Sequence, residues 1–314
     1  MKNFISLNKA KVALLITSTS LLTTSCFKDF IGTGGTNKEL QVQTLTSDLE
    51  GESIDALTID QEGNIYASQF GEFSGGGGTG TTVFITDRDG NTSEFLTDLS
   101  GPLGNAIDPA GNFYVINNND GSTGEILKIA VDGTRTQLAV LDGFPSGLTL
   151  DEDNNLYVSN FGTPTIHKIT PTGEVSLYAT DDRLLGAVGI DFNSTGDLIA
   201  GSFSTADVLK VSSTGDVELL ATIPDIADNG QGIGYLIIAN DIIFATGIGV
   251  HKIFSITMNG TVSEFAGSGE FGEEDGNLLE ATFDNPNGIT FDEYTQTLFI
   301  SEFDSPNIRK IELY

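Results

Sequence analysis

The chain has 314 residues, with 14 Lys and Arg against 44 Asp and Glu, so its formal net charge is −30 at pH 7. Nucleic acid and anionic lipid surfaces are poor partners for such a chain, because both bind clustered basic residues. The only cysteine is Cys26, which excludes disulfides, CxxC redox motifs and a second, catalytic thiol.

Residues 1–25 have the pattern of an export signal. Three lysines precede the apolar residues 12–22, and small polar residues then lead to Cys26. The apolar run is too short to span a bilayer as a stable helix. The segment LLTTSC resembles the lipobox of bacterial lipoproteins, in which cleavage leaves a lipidated cysteine, although Thr23 stands where that pattern usually has Leu, Val or Ile. A free thiol in a plain secreted protein is the alternative.

Residues 26–37, which are rich in Gly and Thr, are predicted to form a lipidated tether. Removing residues 1–25 takes away three lysines and no acidic residue, so the formal net charge becomes −33. The lipoprotein resemblance implies the outer membrane, on its periplasmic or surface side, because Phe27 is not the Asp associated with inner-membrane retention. We expect a monomeric, lipid-anchored protein of the bacterial cell envelope, with its folded domain in residues 38–314.

Six stretches of this domain repeat one pattern. Each has an apolar strand, a polar turn that often holds Asp, Asn or Gly, and a strand rich in aromatic and β-branched residues, which is typical of a hairpin. The first five stretches align without a gap, and the sixth needs one extra residue. The stretches are ALTIDQEGNIYAS from Ala56, GNAIDPAGNFYVI from Gly104, GLTLDEDNNLYVS from Gly147, GIDFNSTGDLIAG from Gly189, GYLIIANDIIFAT from Gly234 and GITFDEYTQTLFIS from Gly288.

A second pair of strands is predicted after each of the first five hairpins. Their turn glycines, spaced by 40 to 45 residues, are Gly90, Gly133, Gly173, Gly215 and Gly260. Four strands per period of this length are typical of the blades of a β-propeller. The predicted blades span residues 56–99, 104–141, 146–180, 187–223, 232–267 and 286–314, the last completed by residues 41–48.

The sixth unit ends after three strands, with NIRKIELY. The N-terminal segment VQTLTSDL, from Val42, is similar to fourth strands such as SEFLTDL. We therefore predict an all-β, six-bladed β-propeller with four-stranded blades, in which the N-terminal strand completes the last blade and leaves no open sheet edge.

The last blade carries a resemblance to a known family. The stretch VSEFAGSGEFGEEDGNLLEATFDNPNGITFD, from Val262, followed by LFISEFDSPNIRKI, resembles the NHL-repeat propellers: an AGSG turn, a DG, an A.F..P.GI..D strand and a closing N.R. More distantly, the whole chain is similar to the six-bladed gluconolactonase and senescence-marker propellers, and its third blade to streptogramin lyases.

The lactonase-like resemblance implies a calcium site. In that family Glu, Asn, Asn and Asp side chains just before the first-strand repeats hold one Ca²⁺, an ion that prefers oxygen ligands. The corresponding residues here are Asp55, Leu103, Ser146, Val188, Ile233 and Asn287. Only Asp55 and Asn287 are candidate ligands, and Asp55 is the one candidate catalytic base. The site implied by the resemblance is therefore degenerate.

A ligand-binding rim is predicted where the second strands end, since propellers usually bind ligands around the channel mouth. Ser-Gln-Phe from Ser68 recurs as Ser-Asn-Phe from Ser159 and Ser-Glu-Phe from Ser301, and we assign the phenylalanine to packing between blades. The predicted rim comprises Gln69, Asn118, Asn160, Arg183, Glu302 and Asp304. A solvated acidic face without a ligand is the alternative.

The glycine-rich segment GEFSGGGGTGTT, residues 71–82, joins the second and third strands of blade 1. A phosphate-binding loop leads into a helix N-terminus and usually carries a Lys, whereas this segment leads into a strand and has none. We therefore predict a mobile flap beside the channel mouth rather than a nucleotide site.

These features favour a lipid-anchored binding module whose acidic rim contacts an unknown protein or small molecule. The alternative is a calcium-dependent lactonase-type hydrolase with a degenerate site. GxSxG, HExxH, DxDxDG and Walker motifs are absent from the sequence. His167 and His251 occupy equivalent slots on third strands of different blades, so we expect neither a shared metal site nor histidine-based catalysis.

Overall fold

A computed structural model of the chain describes residues 39–49, 53–224, 226 and 231–313. The predicted signal peptide, Cys26 and the tether lie outside the described residues. In the part that is described, no helix is long and apolar enough to cross a membrane. Its helical elements are the short 3-10 helices Asp182–Leu184 and Ile248–Val250.

The strands form six blades, five of them four-stranded, and β1 (Gln41–Thr46) precedes blade 1 in the chain and joins the sheet of blade 6. Blade 1 contains β2 (Ile54–Ile59), β3 (Ile65–Gln69), the small hairpin β4 (Phe73–Ser74) and β5 (Gly77–Gly78), then β6 (Val83–Thr86) and β7 (Thr92–Leu96). Blade 2 contains β8 (Asn105–Ile107), β9 (Phe113–Asn117), β10 (Thr123–Ile129) and β11 (Arg135–Asp142). Blade 3 contains β12 (Pro145–Leu150), β13 (Leu156–Asn160), β14 (Thr165–Ile169) and β15 (Val175–Thr180).

The second half of the chain continues the series. Blade 4 contains β16 (Ala187–Phe192), β17 (Leu198–Ser202), β18 (Asp207–Val211) and β19 (Val217–Thr222). Blade 5 contains β20 (Ile233–Ala239), β21 (Ile242–Gly247), β22 (Lys252–Thr257) and β23 (Val262–Ala266). Blade 6 contains β24 (Gly276–Asn277), β25 (Pro286–Asp292), β26 (Thr297–Glu302) and β27 (Ile308–Glu312).

The six first strands, β2, β8, β12, β16, β20 and β25, contact one another around a central channel. Burial decreases outward within a blade: β13 is buried throughout, whereas β15 has four exposed residues of six. Apolar side chains of neighbouring blades pack together, as Ile126 and Leu141 of blade 2 do with Leu156 of blade 3. The prediction of an all-β, six-bladed propeller is confirmed.

The ring is closed by β1, as predicted. Val42 of β1 pairs with Ile311 of β27 in an antiparallel ladder, so residues from the two ends of the domain share one sheet. The short strand β24 pairs with the other edge of β1, opposite Gln41 and Val42. Blade 6 therefore has five strands, and the fifth was not predicted.

Hydroxyl groups at the ends of second strands link neighbouring blades. Ser159 donates to the carbonyl of Val188 at 2.6 Å, Thr246 to that of Asn287 at 2.7 Å, and Ser301 to that of Asp55 at 2.9 Å. The strands approach closely at these points, as Gly147 shows: a Cβ atom on this residue would lie 1.9 Å from the Val188 oxygen. Glycine in the first strands thus allows the blades to come together around the channel.

The two faces of the disc differ in their turns. On one, which we call the turn face, Asp60, Asp108 and Asp151 each accept hydrogen bonds from an Asn four residues later and from a tyrosine hydroxyl, so they fix the turns between first and second strands. The opposite face, where first strands begin and second strands end, we call the rim face.

The glycine-rich segment lies on the rim face as a short hairpin rather than as a free flap. Phe73 pairs with Gly78 between β4 and β5. Gly77 packs so tightly on blade 2 that a Cβ atom there would lie 2.0 Å from the carbonyl oxygen of Asn119. This close approach requires glycine at position 77, and the packed hairpin corrects the expectation of a free flap.

Candidate functional site

One first strand differs from the other five at the centre of the ring. Strand pairing places Leu236 opposite Ala245, in the way that Leu57 lies opposite Ala67. The preceding residue in blade 5 is therefore Tyr235. Its equivalents in the other blades are Ala56, Gly104, Gly147, Gly189 and Gly288. A single large side chain thus stands in a row of glycines and one alanine.

This register shows that the predicted alignment of blade 5 is wrong by one residue. Ala239 pairs with Ile242, so the hairpin turns through only Asn240 and Asp241, both of which have positive φ. Such a two-residue turn is one of the tightest hairpin connections. The row of the implied calcium site therefore contains Gly234 in blade 5, not Ile233.

Tyr235 reaches across the channel. Its hydroxyl lies 3.4 Å from the carbonyl oxygen of Ser146 in blade 3 and also approaches Asp55 of blade 1. The side chain is 7% exposed, and burial together with the carboxylate of Asp55 raises the pKa of the phenol well above its usual value. Tyr235 is thus a neutral hydrogen-bond donor that fills the middle of the channel.

Asp55 and Asn287, the predicted pair, do lie together. Burial raises the pKa of Asp55 to about 6, although the nearby hydroxyl of Tyr235 and amide of Asn287 act in the opposite direction. Its Oδ1 atom is buried and has no donor within hydrogen-bonding distance and angle in the described part of the protein. Asp55 is therefore a buried carboxyl group with one unsatisfied oxygen and a pKa raised towards neutral.

The row does not fit a resident calcium ion. Asp55, Ser146 and Asn287 supply side-chain oxygens, and Ser146 Oγ already donates to the carbonyl of Phe144 at 3.0 Å. Calcium takes six to eight oxygen ligands, and the hydroxyl of Tyr235 occupies the space between these blades. The described residues contain no group of three or more His, Cys, Asp or Glu able to hold a metal.

Two members of the predicted rim are fully buried structural groups. Asn160 Oδ1 accepts from the backbone of Phe144, Gly162 and Thr163, while its amide donates to the carbonyl of Asp142 at 2.7 Å, so it fixes two loops. This arrangement leaves Asn160 with no surface for a ligand. Asn160 differs from the equivalent residues of other blades because its side chain hydrogen-bonds the backbone of the two loops, at residues 142–144 and 162–163.

Glu302 is also fully buried. Its Oε1 accepts from Arg309 and from the backbone of Asp284, both at 2.9 Å, and its Oε2 accepts from Ser305 and Asn307. Burial raises the pKa of Glu302, and the charge of Arg309 opposes this rise. Glu302 belongs to a buried ion pair inside blade 6 and not to a ligand-facing rim.

Arg309 connects this pair to the closing strand. It is fully buried and also binds Asp275 at 2.9 Å, and Asp275 accepts a hydrogen bond from Thr44 of β1. The N.R of the family-like signature, Asn307 and Arg309, thus serves the closure of the ring. The sequence could have indicated this ion pair, because Glu302 and Arg309 lie on adjacent antiparallel strands of the predicted sixth blade.

The other predicted rim residues are engaged in local contacts or lie at strand ends. Asn118 is exposed with φ 51° and donates to Glu125 at 2.6 Å, and Gln69 is half-buried at the end of β3. Asp304 is exposed and accepts from Asn285. Arg183 is paired with Asp181 and donates to the carbonyl of Val217, at the start of the fourth strand of blade 4. The only basic member thus contacts an outer strand instead of the channel mouth.

The histidines do not meet. His167 is half-buried on β14, where burial lowers its pKa, and His251 lies beside Phe271, 5.6 Å between ring centroids, after the second 3-10 helix. They belong to blades 3 and 5, as predicted, but their slots are not equivalent, because His167 lies within β14 and His251 precedes β22. Neither side chain is among the residues that line the central channel.

A continuous row of aromatic rings on the rim face was not predicted as a site. We call it the phenylalanine arc: Phe70, Phe73, Phe144, Phe161 and Phe203. Neighbouring ring centroids are 5.8 to 6.4 Å apart. Phe70 is buried, as packing between blades predicts, but Phe161 is 38% exposed and Phe73 is 68% exposed. The glycine-rich hairpin adds Phe73 to the row.

The surroundings of the arc are acidic. Glu72, beside Phe73, and Asp142, two residues before Phe144, are both exposed. No Lys or Arg occurs within three positions of any residue of the arc. An exposed aromatic surface next to carboxylates suits a partner that is both apolar and positively charged.

Comparisons with known proteins place this architecture among propellers of more than one activity. The chain is 17% identical to an auxiliary nutrient binding protein from Bacteroides thetaiotaomicron, with a TM-score of 0.69 over 87% of this chain and 76% of that one. It is 14% identical to a gluconolactonase from Xanthomonas campestris, with a TM-score of 0.63 over 87% and 89% of the two chains. It is 17% identical to virginiamycin B lyase from Staphylococcus aureus, with a TM-score of 0.62 over 88% and 99%.

These likenesses, all below 25% identity, show the fold alone. The sequence matches no protein-family model, and it matches no curated protein. The chain is a six-bladed β-propeller whose structural neighbours include both binding proteins and gluconolactonase-like enzymes.

Proposed function

We propose that this propeller is a lipid-anchored binding module of the bacterial cell envelope, and that its phenylalanine arc captures a ligand with an apolar, positively charged surface. The observation that carries the proposal is the exposure of Phe73 and Phe161 in a row of rings on one face. Fully burying an exposed aromatic side chain contributes about 1.5–3 kcal/mol, so two such rings can supply much of the affinity for a small ligand.

Charge supports the same class of ligand. The formal net charge of −30, together with Glu72 and Asp142 near the arc, repels anions and attracts cations. Aromatic faces also attract cations directly. The anchor at Cys26 is part of the proposal, because a tether of a few residues would hold the arc within reach of the envelope while leaving the disc free to turn.

The proposal is tested by calorimetric titration with the tripeptide Lys-Phe-Lys, which is too large for the central channel, and with Glu-Phe-Glu as the charge control. We expect Lys-Phe-Lys to bind and Glu-Phe-Glu not to bind. The double variant Phe73→Ser/Phe161→Ser should weaken binding about tenfold or more, since it removes most of the exposed aromatic area.

The matched control is Tyr294→Ser, which removes an aromatic side chain that is 86% exposed in the first turn of blade 6, on the turn face. It should leave the affinity unchanged. Equal affinity of the wild type and the arc variant would contradict the proposal.

A lactonase-type hydrolase is the second candidate, and the observation that favours it is Asp55, whose pKa is raised to about 6 beside Asn287. A base of this kind suits catalysis near neutral pH. Turnover of a lactone panel that is lost in Asp55→Asn would support the hydrolase. A calcium-dependent rise in melting temperature would show that the row binds metal despite its few donors.

A further inference from the structure

The central channel contains a cavity that the rim-face site does not use. It has a volume of 190 Å³ and is lined by the first strands of all six blades, from the level of Tyr235 towards the turn face. Pockets for drug-sized ligands begin at about 300 Å³, so this cavity suits a ligand of a few heavy atoms. Tyr235, which reaches across to Ser146, separates it from the rim face.

The lining of this central cavity accepts hydrogen bonds and carries negative charge. Its polar side chains are Thr58, Asn105, Thr149, Asp191, Thr290 and Tyr235, and the rest of the lining is Leu, Ile and Ala. Among the described residues that line it there is no Lys, Arg or His. A ligand that brings hydrogen-bond donors and positive charge therefore complements this wall.

Asn105 presents an acceptor that lacks a donor. The side chain is 5% exposed, and its amide nitrogen donates to the carbonyl of Ala56 at 3.1 Å and to Ser68 Oγ at 2.7 Å. Because the Ala56 carbonyl can only accept, the amide cannot be flipped, and Oδ1 is left as the free end. That atom is buried and has no partner among the described residues. Because that atom has almost no accessible surface, a ligand in the cavity does not contact it, and Asn105 shapes the wall without binding.

Asp191 supplies the charge. Its carboxylate accepts from the backbone N–H groups of Ile238 and Phe192 at 2.8 and 2.9 Å and from the hydroxyl of Thr149 at 3.4 Å. These donors orient the group, and although burial raises the pKa of Asp191 to about 6, most of it is ionised at pH 7. Glu293, the charged group that faces it from blade 6, adds further negative potential.

We propose that the central cavity binds a small ligand carrying a primary ammonium group, with Asp191 as its counter-charge and the hydroxyls of Thr58, Thr149 and Thr290 as acceptors of its N–H donors. A divalent metal does not fit, because the cavity holds one carboxylate and no group of three acidic or histidine ligands. The aliphatic walls favour an alkylammonium over a bare monovalent cation.

The probe is propylammonium chloride, titrated into ¹⁵N-labelled protein and followed by amide chemical shifts. We expect saturable shifts centred on Thr58, Asn105 and Asp191, and none of that kind with 1-propanol or sodium chloride at equal concentration. Asp191→Asn should weaken binding about tenfold or more, because it removes the charge that pairs with the ammonium group. The matched control is Asp216→Asn, which removes an exposed charge from the same blade and should leave binding unchanged.

Asp191 also accepts backbone N–H groups, so a second variant tests the site without touching them. Thr58→Val/Thr290→Val removes two acceptors at nearly constant size and should weaken binding about tenfold. Equal shifts with 1-propanol or sodium chloride would overturn the proposal. So would unchanged affinity in both cavity variants, or a cavity that takes up only water. The arc variant Phe73→Ser/Phe161→Ser should bind propylammonium normally, which separates this site from the proposed function.

Discussion

Two carboxyl groups near the channel are buried to a similar degree and differ in how their oxygens are satisfied. Glu302 in blade 6 accepts four hydrogen bonds, one of them from Arg309. Asp55 in blade 1 has the hydroxyl of Tyr235 and the amide of Asn287 nearby, and its Oδ1 has no donor among the described residues. Removing Arg309 would leave the first carboxylate buried without its cation, whereas the second already has one oxygen without a donor and a pKa raised to about 6.

The comparison is tested most strongly at Arg309. Replacing Arg309 by Met leaves Glu302 and Asp275 without their cation, and removing one partner of a buried pair costs about 3–5 kcal/mol. We expect a loss of this size in the free energy of unfolding, measured by urea denaturation. The neighbouring Lys310→Met, which removes a more exposed pair with Glu312, should lose less than about 1 kcal/mol. Similar losses in the two variants would mean that the buried pair does not lock blade 6.

The second test concerns the pH dependence of Asp55. Its pKa is raised from 3.8 to about 6 on folding, so the folded state holds the proton more tightly than the unfolded state between these values. The wild type should therefore lose stability relative to Asp55→Asn as pH rises from 4 to 6, by about 3 kcal/mol at most, and no further above that range. The measurement is the difference between the two unfolding free energies at each pH. A constant difference would contradict an unpaired buried carboxyl.

The smallest effect is expected at Tyr235. Tyr235→Phe removes the donor that approaches Asp55 and the Ser146 carbonyl, at a cost of about 0.5–1.5 kcal/mol. Because that hydroxyl lowers the pKa of Asp55, its loss should move the stability midpoint of Asp55 to higher pH. Tyr66→Phe, which removes a hydroxyl bound to Asp60 at 3.0 Å, should cost a similar amount without moving that midpoint. If Tyr66→Phe moved the midpoint as far as Tyr235→Phe does, Tyr235 would act on Asp55 only indirectly.

The fold could be predicted because each blade repeats the same alternation of strands and turns. The closing strand was recognisable because residues 42–46 have the pattern of a fourth strand, and the ladder of Val42 with Ile311 confirms it. The extra strand β24 has no such pattern, since Gly276 and Asn277 pair only through their backbone. The tight turn at Asn240 was not predicted. Blade 5 has one residue fewer in this turn, and its first strand is apolar throughout, so the strand aligns equally well when it is shifted by one residue.

The site was less predictable, because residues that break a repeat do so for two different reasons. Asn160 and Glu302 differ from the repeat because they form hydrogen bonds with local buried groups. The sequence shows that these residues differ from the repeat, but it does not show which groups they bind. Asp55 and Asn287 were selected from the row that the resemblance implies, and the closed ring predicted that they would be neighbours, as they are. Tyr235 was missed, because the shifted alignment placed Gly234 in its row. The arc was missed in part, since sequence repetition cannot distinguish Phe70, which is buried, from Phe161, which is 38% exposed.

The pairing of β1 with β27 also sets an order on folding. Residues 43–46 have no strand partner until residues 308–312 have been made and brought back to them, across almost the full length of the domain, because β24 pairs only with Gln41 and Val42. Contacts so distant in sequence form slowly, because the entropy of closing the loop is lost before the ladder compensates for it. We expect blades 1 to 5 to form first and the ring to close last, so a pause before β27 would leave both sheet edges of the closure exposed to aggregation.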